Sequence, residues 1–236
     1  MEMPIQSAAS APAVHELPDL REQQTRFRKA AREVRILDPL LIDAFIRDRQ
    51  QRGIDGPDET WEGVYTVPPI AGNPHQSLVG FLTGILFNVI TLEGRGEVQP
   101  GANVSDRRDG WEQSFRGPDV VVALTDCPAV NCGSHWMGGP DFLIEVQTPG
   151  DETEEKIPFY GKLKVRELLI VHRDTRAVRL YRHNGRKLVQ VKLSSHVGGK
   201  WLVSNVVPLA FRRTGSEDAP AVEICRTDGQ AGNWTV

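Results

Sequence analysis

The chain has 236 residues, with 28 Lys and Arg against 31 Asp and Glu, and is 39% hydrophobic and 25% charged. That length supports one sizeable domain with trimmings, or two small ones. The composition excludes wholesale disorder and fibrous repeats, while the net charge of −3 is a small difference between two large opposing sums.

Residues 1–18 are rich in Ala, Pro and Ser without periodicity and read as a disordered tail. Met1 to Val14 contains Glu2 and no Lys or Arg, so it lacks the charged and apolar parts of a secretory signal. Over Asp19–Gln51, Phe27, Ala30, Ala31, Val34, Leu37, Leu40, Leu41 and Phe45 recur at helical spacing, broken by Pro39. The pattern predicts two short helices in an N-terminal helical extension spanning 19–57. Gly53–Asp58 reads as a turn, and Glu59–Val67 alternates like an edge hairpin.

Asn73-Pro74 opens a predicted helix that runs through Leu78, Leu82, Ile85, Leu86 and Val89 to about Leu92, with Gly94 as its stop. Its apolar stretch, Leu78 to Ile90, is interrupted by Gly80, Thr83, Gly84 and Asn88 and falls short of the roughly 20 residues that span a bilayer. No membrane partner is expected. A strand is predicted within Gly96–Ser105, a buried strand at Pro118–Leu124, a loop at Thr125–Gly139 and a second buried strand at Pro140–Gln147. Asp151–Leu163 reads as a helix opened by acids. Strands follow at Glu167–His172, Ala177–Tyr181 and Lys187–Leu193, with Asn184-Gly185 as a hairpin turn. This order favours an α/β fold, a mixed β-sheet flanked by helices.

Two acids interrupt the buried strands: Asp119 opens Val-Val-Val, and Glu145 lies inside Phe142-Leu-Ile-Glu-Val146. A carboxylate in such a run is costly to desolvate unless a positive charge meets it. A divalent cation such as Mg²⁺ is the simplest answer, because it prefers hard carboxylate oxygens and can take them from the ends of neighbouring strands. Glu145 and Gln147 share one face of their strand. Such a centre suits hydrolysis of a phosphodiester, where metal activates water and offsets charge on the phosphoryl oxygens.

Pro118-Asp119, Asp141-Phe-Leu-Ile-Glu145-Val, Lys156-x-x-x-Tyr160 and Val165-Arg-Glu167 resemble the Uma-type restriction endonuclease family, a branch of the PD-(D/E)xK nuclease superfamily. Glu59-Thr-Trp-Glu62-Gly63 and His75 are similar to that family's hairpin and first helix. The resemblance covers about Asp58 to Leu193. It implies a restriction-endonuclease-like nuclease domain, placed at 58–213 with a C-terminal tail over 214–236, that cuts DNA with Mg²⁺ or Mn²⁺. Asp119 and Glu145 would be metal ligands, the Val146 carbonyl a third, and Glu59 or Glu62 an added ligand unless it merely faces solvent. Where the superfamily carries lysine, two residues after Glu145, this chain has Gln147. Lys156 either reaches back from the next helix to serve in its place or is a surface lysine. Pro158 leaves the start of that helix open, and with it the aim of Lys156. Tyr160, Lys162 and Lys164 are candidate phosphate or DNA contacts.

Between Lys156 and Arg213 the sequence has 14 Lys and Arg against two acids, Glu167 and Asp174, a distribution that can attract a polyanion. Cys127-x4-Cys132-x2-His135 approaches zinc spacing but lacks an evident fourth ligand, and is read as loop. Three cysteines cannot form a disulfide framework and suit a cytoplasmic protein. Two functions follow: a metal-dependent DNA endonuclease, with a homodimer as a means of cutting both strands, or a catalytically inactive nuclease-like fold that binds nucleic acid or serves in assembly.

Overall fold

The computed structural model describes residues 34–52, 58–68, 71–191 and 200–236. The tail expected at 1–18, the first expected helix up to residue 33 and all of the expected turn but Asp58 lie outside these residues. Within the extension, Val34–Ile36 forms a strand, β1, where a helix was expected, because it pairs antiparallel with β3 (Val64–Val67). The second expected helix is present as α1, Pro39–Arg52.

A six-stranded sheet carries the centre of the fold. Its strands are β4 (Gly96–Pro100), β7 (Val120–Leu124), β10 (Phe142–Gln147), β11 (Glu167–His172), β12 (Val178–His183) and β13 (Leu188–Gln190). They lie side by side in the order β13-β12-β11-β10-β7-β4. Only the β10–β11 pair in this sheet is parallel, and α3 (Thr153–Lys162) is its crossover.

Strand alternation divides the core between the two faces of this sheet. Val120, Val122, Phe142, Ile144 and Val146 join Leu78, Leu82 and Ile85 of α2 (Asn73–Leu86) on one side. Val121, Ala123, Leu143, Leu168 and Ile170 meet Phe159, Tyr160 and Leu163 on the other. Both faces are covered, which is why these strands read as continuous apolar runs. The helix expected to reach Leu92 is α-helical to Leu86 and continues as a π-turn, Phe87–Thr91, before Gly94.

A second sheet, ordered β1-β3-β2-β6-β5-β9-β8, includes β2 (Glu59–Trp61), β5 (Val104–Ser105) and β6 (Phe115–Arg116). The single strand expected within 96–105 is split between this sheet and the central one. Short strands β8 (Val130–Asn131) and β9 (Trp136–Met137) occupy the expected loop 125–139. The expected C-terminal tail is largely β-structure. β14 (Leu202–Val203), β15 (Leu209–Gly215), β16 (Pro220–Arg226) and β17 (Asn233–Thr235) form an antiparallel sheet. Gly215 turns β15 into β16 at φ +76, where a Cβ would stand 2.1 Å from the Ala219 carbonyl oxygen. Phe211, Val222 and Ile224 bury against the α2 side of the core, so the apolar alternation of these strands makes them part of the fold and not a tail.

Candidate active site

Because Leu143 faces α3, alternation turns Glu145 to that same face. Glu145 is buried, and its Oε1 accepts a hydrogen bond from the Tyr160 hydroxyl at 2.5 Å. Lys156 lies one turn before Tyr160 on α3, and its Nζ stands 3.2 Å from Glu145 Oε1 and 3.3 Å from Oε2. The same ammonium is 2.7 Å from Glu59 Oε1. Glu59, buried on β2, also accepts from the Gly117 N–H at 2.9 Å and the Trp61 indole at 2.7 Å.

The aim of Lys156 follows from where α3 begins. Asp151 accepts from the Thr148 and Thr153 amides and sets the first turn, so Pro158 falls inside the helix and Lys156 within its first turns. Pro158 has no N–H to donate to Glu154, yet the helix continues through it.

Asp119 precedes β7. The antiparallel register pairs Val120 with Ile144, so Asp119 falls one step farther, beside Glu145. Its Oδ2 accepts from the Val146 N–H at 2.7 Å, and its Oδ1 lies 2.9 Å from Nε2 of His75 at the start of α2. In a strand, the N–H and C=O of one residue point to the same edge, so the Val146 carbonyl is turned to the Asp119 side.

Electrostatics bind these groups together. Burial raises the Glu145 carboxyl above its ordinary range; Lys156 opposes that rise, and the charges of Asp119 and Glu59 add to it. Burial alone would lower Lys156, but Glu145 and Glu59 outweigh it and hold the ammonium protonated. Tyr160 is also raised, by burial first and then by Glu145 and Glu59. His75 is raised by its hydrogen bond to Asp119, against its own burial.

The structure thus gathers Asp119, Val146, Glu145, Glu59, Lys156 and Tyr160, and adds His75, whose partner lies too far along the sequence for local pattern to disclose. The remaining expected site residues lie apart. The Gln147 amide oxygen accepts from Arg179 at 2.5 Å. Glu62 is exposed in the β2–β3 turn at φ 51. Lys162 is exposed and pairs with Asp106 at 2.8 Å, and Lys164 is exposed.

Among the described residues, no three His, Cys, Asp or Glu side chains converge as a metal cluster. The zinc spacing holds no centre. His135 bonds the Arg107 carbonyl and Ser134, and Cys127 and Cys132 are free thiols. Much of the basic surplus after Lys156 is met by acids from elsewhere: Arg166 by Asp141, Arg179 by Glu154 and Arg212 by Glu223. No helix among the described residues is long and apolar enough to cross a membrane.

A family model described as Uma2, putative restriction endonuclease, matches residues 58–214. No curated protein matches the chain. Among solved structures, the chain is similar to a putative nuclease belonging to DUF820 from Anabaena variabilis ATCC 29413. The identity is 16% and the TM-score 0.47, over 63% of this chain and 82% of that one.

Proposed function

The chain belongs to the Uma2 putative restriction endonuclease family, and from that premise we propose that it is a metal-dependent DNA endonuclease centred on Asp119, Glu145 and Lys156. The observation that carries this reading is one half-buried ammonium shared by the buried acids Glu145 and Glu59, near the Asp119 carboxylate. Two buried acids share that one lysine, so neither carboxylate is fully compensated, as a buried charge must be for stability.

The donor set suits a divalent ion. Asp119, Glu145 and the Val146 carbonyl offer hard oxygens, and the raised Glu145 carboxyl marks a place where more positive charge is favourable. These three groups would hold Mg²⁺ or Mn²⁺, which when bound supplies an activated water and charge compensation on the phosphoryl group.

The chain's own residues account for the remainder. Lys156 stays protonated, so it serves as a fixed positive charge for the developing phosphoryl oxyanion rather than as a base. Glu59 holds that ammonium, Tyr160 orients Glu145, and His75 orients Asp119. Lys156 thereby supplies from a helix the charge that Gln147 lacks. Double-strand cutting would bring two copies together on the duplex.

Nicking of supercoiled plasmid tests the reading. Wild type should nick with Mg²⁺ or Mn²⁺ and not with chelator, while Asp119→Asn and Glu145→Gln, folded by circular dichroism, should not. A second reading, a nucleic-acid-binding or assembly module without turnover, draws on the absence of a three-residue cluster of His, Cys, Asp or Glu suited to a metal among the described residues. Wild type that binds DNA yet neither binds metal nor nicks would establish that alternative.

A further inference from the structure

Beside the candidate active site lies a groove of about 460 Å³, lined by Arg35, Trp61, Arg116, Pro158, Phe159 and Lys162 among others. It shares parts with the site itself. Trp61 forms its wall and donates to Glu59, the acid that holds Lys156. Helix α3 gives the groove Glu155, Pro158, Phe159 and Lys162, at i, i+3, i+4 and i+7, and gives the site Lys156 and Tyr160 from the adjoining stripe.

Arg116 is the unusual member. It is 4% exposed, and its guanidinium lies between two aromatic rings, 4.2 Å from the Trp61 centroid and 4.3 Å from that of Phe159. Nη1 donates to the carbonyls of Thr60 and Phe115, at 2.7 and 2.9 Å. Among the described residues, the buried Nε has no hydrogen-bond partner and Nη2 makes no hydrogen bond. Among the described residues no carboxylate forms a salt bridge with this side chain, in contrast to Arg166, Arg179, Arg182 and Arg212, although the charge of Glu59 is felt there.

Rings on both faces offset part of the desolvation of a guanidinium, but they leave in-plane donors unsatisfied. Nε and Nη2 share one edge of the plane, the edge that takes two oxygens of a tetrahedral or planar oxyanion in parallel. With Nη1 turned onto backbone carbonyls, Nε and Nη2 are the donors that Arg116 has left, and Arg116 lines the groove. The exposed acids on the rim, Glu62 and Glu155, are screened by water.

We propose that this groove is a phosphate-binding subsite in which the Nε/Nη2 edge of Arg116 receives a phosphate of the nucleic-acid strand, next to the one being cut. The inference rests on the nuclease reading for the identity of the strand, but the subsite needs neither metal nor turnover. Its volume suits one nucleotide, with Val64 and Pro158 as apolar walls.

Binding of a short fluorescent DNA strand, measured without metal, tests it. Inorganic phosphate and a 5′-phosphorylated dinucleotide serve as competitors. Arg116→Lys keeps a cation but loses the paired donors; Arg116→Met removes both. Each should weaken strand binding by about tenfold or more, while melting and circular dichroism report whether the variant folds. Both competitors should displace the strand from wild type, and the dinucleotide should do so at lower concentration. Arg116→Lys that folds and binds the strand as tightly as wild type would overturn the proposal. So would strand binding to wild type that neither competitor displaces. Failure of the nuclease reading looks different: Arg116-dependent strand binding persists, and no nicking occurs with Mg²⁺ or Mn²⁺.

Discussion

Glu145 and Glu167 lie on adjacent parallel strands, both buried, and are answered in opposite ways. Glu167 is closed on every side: Arg182 Nε at 2.7 Å, Ser204 Oγ at 2.5 Å and the Asn205 N–H at 3.1 Å. Glu145 receives one hydroxyl, and the cation nearest it is closer to another acid, Glu59. Saturation by fixed donors ties Glu167 to the C-terminal sheet. The unsaturated surroundings of Glu145 leave a charge that an added cation or an anionic substrate can still alter. A buried acid is therefore a candidate for chemistry when its compensation is shared, and for architecture when its compensation is complete.

Substitution at the two positions should separate these roles most sharply. Glu145→Gln is expected to lower plasmid nicking by about a thousandfold or more with the fold intact, the scale of losing an electrostatic group at a reacting centre. Glu167→Gln should leave nicking by the folded protein nearly unchanged and cost about 2 kcal/mol in urea denaturation, since it strips charge from a closed pair. Equal loss of nicking in both variants would erase the distinction. Lys156→Met should reduce nicking by about a hundredfold, with Lys156→Arg recovering part of it. Tyr160→Phe should reduce it about tenfold, because one hydrogen bond to a charged oxygen disappears.

A pH dependence of stability in the metal-free protein separates the two acids as well. The Glu145 carboxyl is raised from 4.5 to about 8, so within that interval the folded state holds a proton that the unfolded chain has released. Stability should consequently fall as pH rises through that window. Glu145→Gln should flatten the dependence of melting temperature on pH, and Glu167→Gln should not. Lys156 does not contribute in the same window, because its ammonium is held protonated well above it.

The middle of the central sheet was legible because β7, β10 and β11 are apolar on both faces, and an acid inside such a run stands out: Asp119 and Glu145 could be picked from Val-Val-Val and Phe-Leu-Ile-Glu-Val alone. The aim of Lys156 was not. It depends on the helix starting at Thr153 rather than at Pro158, with the Asp151 carboxylate accepting from the Thr153 amide just ahead of it. Arg116 and His75 escaped for a related reason. Their meaning lies in contacts with Trp61, Phe159 and Asp119, each distant in sequence. The basic run after Lys156 misled in part, since chain counting cannot reveal that Asp141, Glu154 and Glu223 fold back onto its arginines.

The C-terminal sheet bears on how this protein can be shortened. The family match stops at residue 214, inside β15. A chain trimmed there would lose β16 and β17, uncovering Phe211 and removing Val222 and Ile224 from the packing around α2. Phe142, stacked 6.3 Å from Phe211, would lose its cover as well, at the start of the strand that carries Glu145. Trimming to the matched segment should yield aggregates rather than a minimal nuclease.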